Sequence, residues 1–339
     1  QVAGRAEELA LSLGTSSCRV YREEGQVQVE VPRSDGQVVH LLDLCRRLDC
    51  LDSTGVGKPG SRKPDGLSGR RAGQRPGCGS ASAAVPPVTA VLGLDAEGTP
   101  LLLRLPSPNV AHVLIAGTTG SGKTALARTI VASLVAFNSQ RQLQVALVDP
   151  KGRGLAAFAE LPHLLRPVVA QVEEAQAMLG WLVAEMERRD REKRAEPRVV
   201  VVLDELADLV QMGGRAIEEP VRRLTQRGRE AGLHVVACTQ KPAASVIGSL
   251  VKSNFPVRLV GSVASPEDAK VATGLAGTGA ERLLGEGDFL VVAKGQVTRM
   301  QAAYISTAEA RDLVGRMRKA PAPPVQGGGG PQSGTFLPT

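Results

Sequence analysis

The sequence predicts an α/β domain with a mostly parallel β-sheet, and two observations support this fold class. From Val88 onward, short runs of Val, Leu and Ile alternate with longer segments of helical periodicity, which is typical of a parallel sheet covered by helices on both faces. Within this region, an apolar strand at 113–116 leads through a glycine-rich loop into a helix. The chain has 339 residues, of which 42% are hydrophobic, so it can bury a sizeable core.

The first 51 residues predict a small α/β subdomain in front of the main domain. Helical periodicity covers 6–13 and 41–48. Alternating patterns at 18–22 and 26–31 predict two strands joined by a turn.

Residues 52–87 predict a flexible linker or insertion. They are rich in Gly, Pro, Ser, Lys and Arg, and have few apolar side chains to offset the entropy of ordering. Between 58 and 75 there are six basic residues against one acid, Asp65. This charge run fits either a tether that touches DNA or a solvated linker, and we favour the solvated linker because most charge runs are solvated.

The main domain is predicted at 88–318, and it is followed by a Gly- and Pro-rich tail at 319–339 that we expect to be disordered. Strands are predicted at 89–94, 101–105, 113–116, 144–148, 199–203, 235–238, 257–260 and 289–293, with an antiparallel edge strand at 298–304. Helices are predicted from 125 to about 137, at 173–194 and at about 218–230.

The loop after strand 113–116 has the pattern G-x-x-x-x-G-K-T and is followed by a helix, which is the order of a P-loop. Its glycines let backbone N–H groups point at phosphate oxygens, and the helix adds its positive N-terminal end. We expect Lys123 to reach the β- and γ-phosphates of ATP, and Thr124 to place its hydroxyl on Mg²⁺. The predicted nucleotide-binding residues are Gly117, Thr118, Thr119, Gly120, Ser121, Gly122, Lys123 and Thr124.

Polar residues follow the other parallel strands, whose carboxyl ends share one edge of such a sheet. Four apolar residues and then Asp204 and Glu205 form a Walker B pattern, with Asp204 in the Mg²⁺ shell and Glu205 as the base that activates water. An acid pair that caps the next helix would look the same, but a P-loop in the same sheet favours Walker B. Gln240, after the neighbouring strand, is predicted to sense the γ-phosphate or position the water.

The amino-acid composition limits which partners and which cellular location we expect for this protein. Aromatic residues make up only 2% of the chain, which argues against a platform that stacks single-stranded bases. The net charge of +7 is compatible with a polyanionic partner. The five cysteines form no C-x-x-C pair and no apolar run is long enough to span a membrane, so we expect a cytoplasmic chain, although a membrane anchor elsewhere in a longer protein would fit as well.

Five motifs occur in the order A-G-T-T-G-S-G-K-T (116–124), V-D-P-K-G (148–152), V-V-L-D-E-L-A-D-L (201–209), Q-R-G-R-E-A-G-L-H-V-V-A-C-T-Q-K-P (226–242) and G-A-E-R-L-L-G-E-G-D-F-L (279–290). Together they resemble the motor region of the FtsK/SpoIIIE DNA translocases, with the similarity running from about Val88 to Tyr304. The resemblance implies a RecA-like P-loop ATPase domain. The first 50 residues are similar to the small α subdomain that precedes the motor in that family.

The resemblance also implies a homohexameric ring that threads double-stranded DNA and hydrolyses ATP at subunit interfaces. By motif position, Arg229 would be an arginine finger that acts on the neighbouring subunit. The family's pore loops follow the strand of Gln240 and contact the DNA backbone without strong sequence preference. In this chain they point to Lys241, Ser245, Lys252, Ser253 and Asn254 as DNA contacts.

Three functions stay open at this stage. The leading one is an ATP-driven translocase of double-stranded DNA, which would serve chromosome segregation, conjugation or phage DNA movement. A nucleotide-gated DNA-binding scaffold would use the same basic residues, but it would need neither Glu205 nor Arg229. A protein-remodelling ring would need aromatic pore residues, and Phe255 is the only aromatic residue near the candidate pore segment.

Overall fold

The computed structural model describes residues 6–15, 18–23, 26–31, 37–48, 85–240 and 254–319. Most of the predicted linker and almost all of the predicted tail lie outside these ranges. Four of the five predicted DNA contacts, Lys241, Ser245, Lys252 and Ser253, also lie outside them.

The N-terminal segments contain two short helices and a hairpin. Their bounds are α1 Ala6–Ser12, β1 Arg19–Glu23, β2 Gln26–Glu30 and α2 Leu41–Arg47, with β1 and β2 antiparallel. Helix α2 buries Leu41, Leu44 and Cys45 in the same apolar cluster as the first strand of the main sheet. The backbone N–H of Leu41 also donates to the carbonyl oxygen of Tyr304 at 2.9 Å, so α2 is joined to the main domain by packing and by hydrogen bonding.

The main sheet has nine strands among the described residues. They are β3 Thr89–Asp95, β4 Pro100–Arg104, β5 Val113–Ala116, β6 Leu143–Val148, β7 Arg198–Leu203, β8 Leu233–Thr239, β9 Val257–Val260, β10 Asp288–Ala293 and β11 Gln296–Ala302. The helices around the sheet are α3 Lys123–Phe137, α4 Val172–Glu192, α5 Leu206–Gly213, α6 Arg215–Arg227, α7 Pro266–Thr273 and α8 Thr307–Lys319.

The strand order is β4-β3-β11-β10-β9-β5-β8-β7-β6. The five strands from β9 to β6 are parallel, and the four strands on the other side are antiparallel, which makes the sheet mixed. The predicted α/β fold class is confirmed. The prediction of an edge strand at 298–304 is wrong in position, because β3 pairs with the free side of β11 and places it inside the sheet.

The central strands are buried on both faces, as their unbroken apolar sequences predict for parallel strands. On β5, Val113 and Ile115 face the cluster that contains α3, while Leu114 and Ala116 face the cluster that contains α4, α5 and α6. The resulting three layers hold the carboxyl ends of the parallel strands at fixed positions along one edge of the sheet.

Candidate nucleotide-binding and hydrolysis site

Four neighbouring parallel strands bring the predicted site residues to one edge of the sheet. The glycine loop follows β5, and Gln240 follows β8, which lies directly beside β5. Asp204 and Glu205 follow β7, one strand further along, and Asp149 follows β6 at the end of the row. The sequence predicted the first three of these positions as a site, and the structure brings them together.

The glycine loop depends on backbone conformations that other residues rarely adopt. Gly120 and Gly122 have φ angles of 86° and 97°, in the left-handed region that favours glycine. Gly122 is also the N-cap of α3, so its conformation turns the loop directly into the helix. The loop therefore ends at a helix N-terminus, where backbone N–H groups and the helix dipole favour anions.

Two neighbouring segments hold this loop from the side of β9 and β10. The backbone N–H of Thr118 donates to the carbonyl oxygen of Ser262 at 2.7 Å, just after β9. The N–H groups of Glu286 and Gly287, just before β10, each donate to a loop carbonyl oxygen at 3.2 Å. Sequence patterns gave no sign of these contacts, because they join segments far apart in the chain.

Lys123 lies at the start of α3 with its side chain folded back over the loop. The residue is only 7% exposed, and its Nζ donates to the carbonyl oxygen of Thr118 at 2.7 Å. Burial lowers the pKa of the Lys123 ammonium, and attraction by Glu205 and Asp204 opposes part of that shift. A buried cation at a helix N-terminus is suited to hold phosphate oxygens.

The side chains of three residues converge on Gly154, in the loop after β6. A Cβ atom built on Gly154 would lie 2.5 Å from Thr124 Cγ2, 3.0 Å from Asp204 Oδ2 and 3.6 Å from Asp149 Oδ2. The methyl group of Thr124 and the carboxylate of Asp204 thus approach the same point of the loop, which places these two side chains close together. A threonine hydroxyl and a carboxylate are a donor set that Mg²⁺ accepts when phosphate and water complete the shell. The residues present therefore fit the predicted metal role.

The carboxylates at this point repel one another. Asp149 is 1% exposed and accepts backbone N–H groups from Gly152 at 3.0 Å and Leu155 at 2.9 Å, which fixes its orientation. Burial, followed by repulsion from Asp149 and Glu205, raises the pKa of Asp204 from its ordinary 3.8 to about 6. A cation at Asp204 would relieve this repulsion.

Glu205 has an unusual backbone conformation, with φ 61° and ψ 64°. It is the N-cap of α5, but its side chain makes no capping hydrogen bond, which argues against the alternative of a simple helix-capping acid pair. Its Oε1 instead accepts the backbone N–H of Gln240 at 2.9 Å and lies 3.4 Å from Thr239 Oγ1. The carboxylate is therefore directed across the strand ends toward the glycine loop.

Gln240 connects Glu205 with that loop. Its backbone N–H binds Glu205, and its side-chain Oε1 accepts the hydroxyl of Thr119 at 3.0 Å. A change at the loop can thus reach Glu205 through a single residue. The predicted pore segment begins at the next residue, Lys241, which lies outside the described residues.

Arg229 lies away from this group. It stands in the loop before β8, whereas Gln240 follows β8, so the seven residues of that strand, roughly 23 Å, separate them. The predicted helix at 218–230 ends earlier, at Arg227, which leaves Arg229 in the loop, where it pairs with Glu230. Asn254, the one predicted DNA contact that the structure describes, is 7% exposed and lines a cavity of about 660 Å³ beside Arg229.

Sequence reasoning assigned no role to Asp149, Lys151 or Gly154, although the first two followed a predicted strand. Lys151 Nζ lies 3.6 Å from Glu205 Oε2 and 3.3 Å from Asp208 Oδ2. Their position at a strand end was the signal available in the sequence. The fit of Gly154 against Thr124 and Asp204 is visible only in three dimensions.

Among the described residues, no helix is both long and apolar enough to cross a membrane. Within the same ranges, no cluster of three or more His, Cys, Asp and Glu residues is arranged to hold a metal ion by itself. A site of this kind leaves most of the metal shell to phosphate and water.

Comparison with known proteins relates this chain to one family. The model of the FtsK/SpoIIIE family matches residues 79–194 and 189–244. The DNA translocase SftA of Bacillus subtilis is 38% identical over 255 residues, which are 68% of this chain and 26% of SftA. The DNA translocase FtsK of Helicobacter pylori is 31% identical over 339 residues, which are 93% of this chain and 36% of that protein. The chain therefore spans about a quarter to a third of the length of these relatives.

Solved structures agree on the fold. The conjugation coupling protein TcpA of pCW3, in its monomer form with ATPγS, has a TM-score of 0.63 at 21% identity over 93% of this chain and 85% of TcpA. The cytoplasmic domain of the type VII secretion ATPase EccC of Thermomonospora curvata has a TM-score of 0.60 at 23% identity over 70% of this chain and 33% of EccC. The predicted P-loop ATPase fold is confirmed by these likenesses, and the sequence matches show that the chain belongs to the FtsK/SpoIIIE family.

Proposed function

We propose that this chain is the motor of an ATP-driven translocase of double-stranded DNA. One observation carries the proposal: Gln240, the residue before the predicted pore segment, hydrogen-bonds both Glu205 and Thr119 of the glycine loop. A base placed there can couple ATP hydrolysis to the segment that follows Gln240. The relatives named DNA translocase support DNA as the substrate of the motor.

In the proposed reaction, the glycine loop and Lys123 bind the phosphates of ATP and orient the γ-phosphate toward Glu205. Thr124 and Asp204 would hold Mg²⁺, which supplies neutralisation of charge on the phosphates. Glu205 accepts a proton from the attacking water, and Gln240 keeps the carboxylate directed at that water. The surrounding strands exclude bulk solvent, since Glu205 is 5% exposed.

The active assembly that we propose is a homohexameric ring. Arg229 lies at the opposite edge of the sheet from Gln240, so within one chain it cannot serve the site beside Gln240. In a ring, that edge can face the nucleotide of the next subunit, where Arg229 would stabilise charge on the leaving phosphate. The exposed fraction of the Arg229 side chain, 37%, leaves it accessible to such a neighbour.

The DNA contacts belong to the segment after Gln240. Lys241, Ser245, Lys252 and Ser253 are the proposed contacts to phosphate oxygens. Asn254, the fifth residue that the sequence suggested, is 7% exposed and lines the cavity beside Arg229, so we do not include it among them. Contacts to phosphates carry no sequence information, which suits a motor that passes any sequence. We place this activity in the cytoplasm.

A triplex-displacement assay tests the proposal. A labelled third strand is annealed to a long duplex, and its release is followed with Mg²⁺-ATP for the wild type, for Glu205→Ala and for the matched control Glu97→Ala, an exposed acid in the turn between β3 and β4. We expect release with the wild type and the control, and none with Glu205→Ala. Duplex binding without release by the wild type would instead support the DNA-binding scaffold.

A further inference from the structure

Lys151 is the only lysine that the described structure pairs with the proposed base. It follows β6, within the sequence V-D-P-K-G, and its ammonium lies 3.6 Å from Glu205 Oε2. The other oxygen of Glu205 accepts the backbone N–H of Gln240 at 2.9 Å. Both carboxylate oxygens of Glu205 are therefore engaged, and an oxygen that faces an ammonium is less available to a water molecule.

A second carboxylate shares the same ammonium. Asp208, in the first turn of α5, has its Oδ2 3.3 Å from Lys151 Nζ, slightly closer than Glu205 Oε2. The side chains of Lys151 and Asp208 are 49% and 48% exposed, whereas that of Glu205 is 6% exposed. Lys151 can thus move toward Asp208 and solvent at small cost, because exposed ion pairs contribute little free energy, while Glu205 stays in place.

We propose that Lys151 is a positioning residue that restrains Glu205 and so sets the basal rate of hydrolysis. With Lys151 on Glu205, the base is occupied and hydrolysis is slow. With Lys151 on Asp208, Oε2 of Glu205 is free to accept the proton of water. This inference rests on the proposed function, since it assigns a regulator to the same base.

The test is the rate of ATP hydrolysis without DNA for four variants of the full chain. Lys151→Ala removes the restraint and is expected to raise the basal rate about fivefold, which corresponds to about 1 kcal/mol. Its KM for Mg²⁺-ATP should stay within about twofold of the wild type, because Lys151 does not contact phosphate in this account. Lys151→Arg should restore the low basal rate. Lys319→Ala, at the end of α8, is the matched lysine control and should behave as the wild type.

Asp208→Asn gives the sharpest test, because it should change the rate in the opposite direction. Without Asp208, Glu205 is the only carboxylate within ion-pair distance of Lys151 among the described residues, so the restraint tightens and the basal rate falls. A merely structural role of Lys151 predicts a loss of activity in both variants. An unchanged or lower basal rate in Lys151→Ala, or a KM raised more than about tenfold, would overturn the proposal.

Thermal unfolding separates failure of this inference from failure of the proposed function. In a double-mutant cycle with Lys151→Ala and Glu205→Gln, the Tm change of the double variant should differ from the sum of the single changes. Additive changes would show that the two side chains are not coupled, and would overturn the inference. If the Tm changes show coupling but the chain hydrolyses no ATP, the proposed function is contradicted. The regulatory role of Lys151 then fails with it, because it depends on hydrolysis.

Discussion

Gly154 offers a test of the site that no sequence motif suggests. It lies where the side chains of Thr124 and Asp204 meet, and a Cβ atom at this position would lie 2.5 Å from Thr124 Cγ2 and 3.0 Å from Asp204 Oδ2. The first distance is far inside van der Waals contact. Gly154→Ala therefore forces either Thr124 to rotate, which moves its hydroxyl, or the loop after β6 to move away.

The size of the effect follows from the cost of overpacking, about 1–3 kcal/mol for an added group in a tightly packed place. If this cost is relieved by displacing Thr124 and Asp204, it appears as a loss of Mg²⁺-ATP affinity of about 5- to 150-fold. The assay is a titration of a fluorescent ATP analogue with and without Mg²⁺. The loss should be larger with Mg²⁺, because the displaced groups are the proposed metal ligands.

A second glycine provides the control for Gly154→Ala. Gly180 lies on the exposed side of α4, and a Cβ atom there meets no heavy atom within 4 Å. Gly180→Ala should raise the free energy of unfolding by about 1 kcal/mol, through helix propensity, and leave nucleotide affinity unchanged. Wild-type Mg²⁺-ATP affinity in a folded Gly154→Ala variant would refute the placement of Thr124 and Asp204 at one metal site.

Three further predictions concern stability and assembly. The folded-state pKa of Asp204, about 6, is above its ordinary 3.8, so ionisation of Asp204 destabilises the folded wild type as pH rises from 4 to 6. In EDTA, Asp204→Asn should therefore have a higher Tm and a higher free energy of unfolding than the wild type, and the difference in free energy should grow over this range toward about 3 kcal/mol. A difference that does not change with pH would contradict this prediction. Arg189→Ala should lower the free energy of unfolding, measured by urea titration, by about 3 kcal/mol, because buried Arg189 donates to Glu185 and to the carbonyl oxygens of Pro197 and Ala231. A loss below about 1 kcal/mol would contradict this prediction. Arg229→Ala should bind ATP normally but not hydrolyse it, and mixing it with Glu205→Gln should restore part of the activity; no recovery in mixed assemblies would contradict action on a neighbour.

The central part of the fold followed from sequence because local signals and burial agree there. Strands β5 to β8 are short apolar runs bounded by turns and buried on both faces, so their pattern identified them. The position of each strand within the sheet could not be predicted from the sequence in the same way. Strand β11 was expected at the edge, but β3 covers it, and this pairing joins residues about 200 positions apart, which no local pattern records.

The same distinction between local patterns and long-range contacts applies to the residues of the candidate site. Lys123, Asp204, Glu205 and Gln240 were predictable, because each stands at a strand end or in a known spacing. Helix α5, which carries Asp208, was not predicted, and the helix predicted at about 218–230 lies three residues earlier, at Arg215–Arg227. The hydrogen bonds that join the glycine loop to Ser262, Glu286 and Gly287 link segments far apart in the chain, and so does the fit of Gly154 against Thr124 and Asp204. Only the tertiary structure brings these segments together.

The central claim is that Glu205 drives ATP hydrolysis that DNA controls. The most direct measurement is the rate of ATP hydrolysis by the 339-residue chain with and without long double-stranded DNA, alongside Glu205→Ala. The account predicts strong stimulation by duplex DNA and loss of hydrolysis in the variant. Equal rates with and without DNA, or a Glu205→Ala variant as active as the wild type, would contradict it.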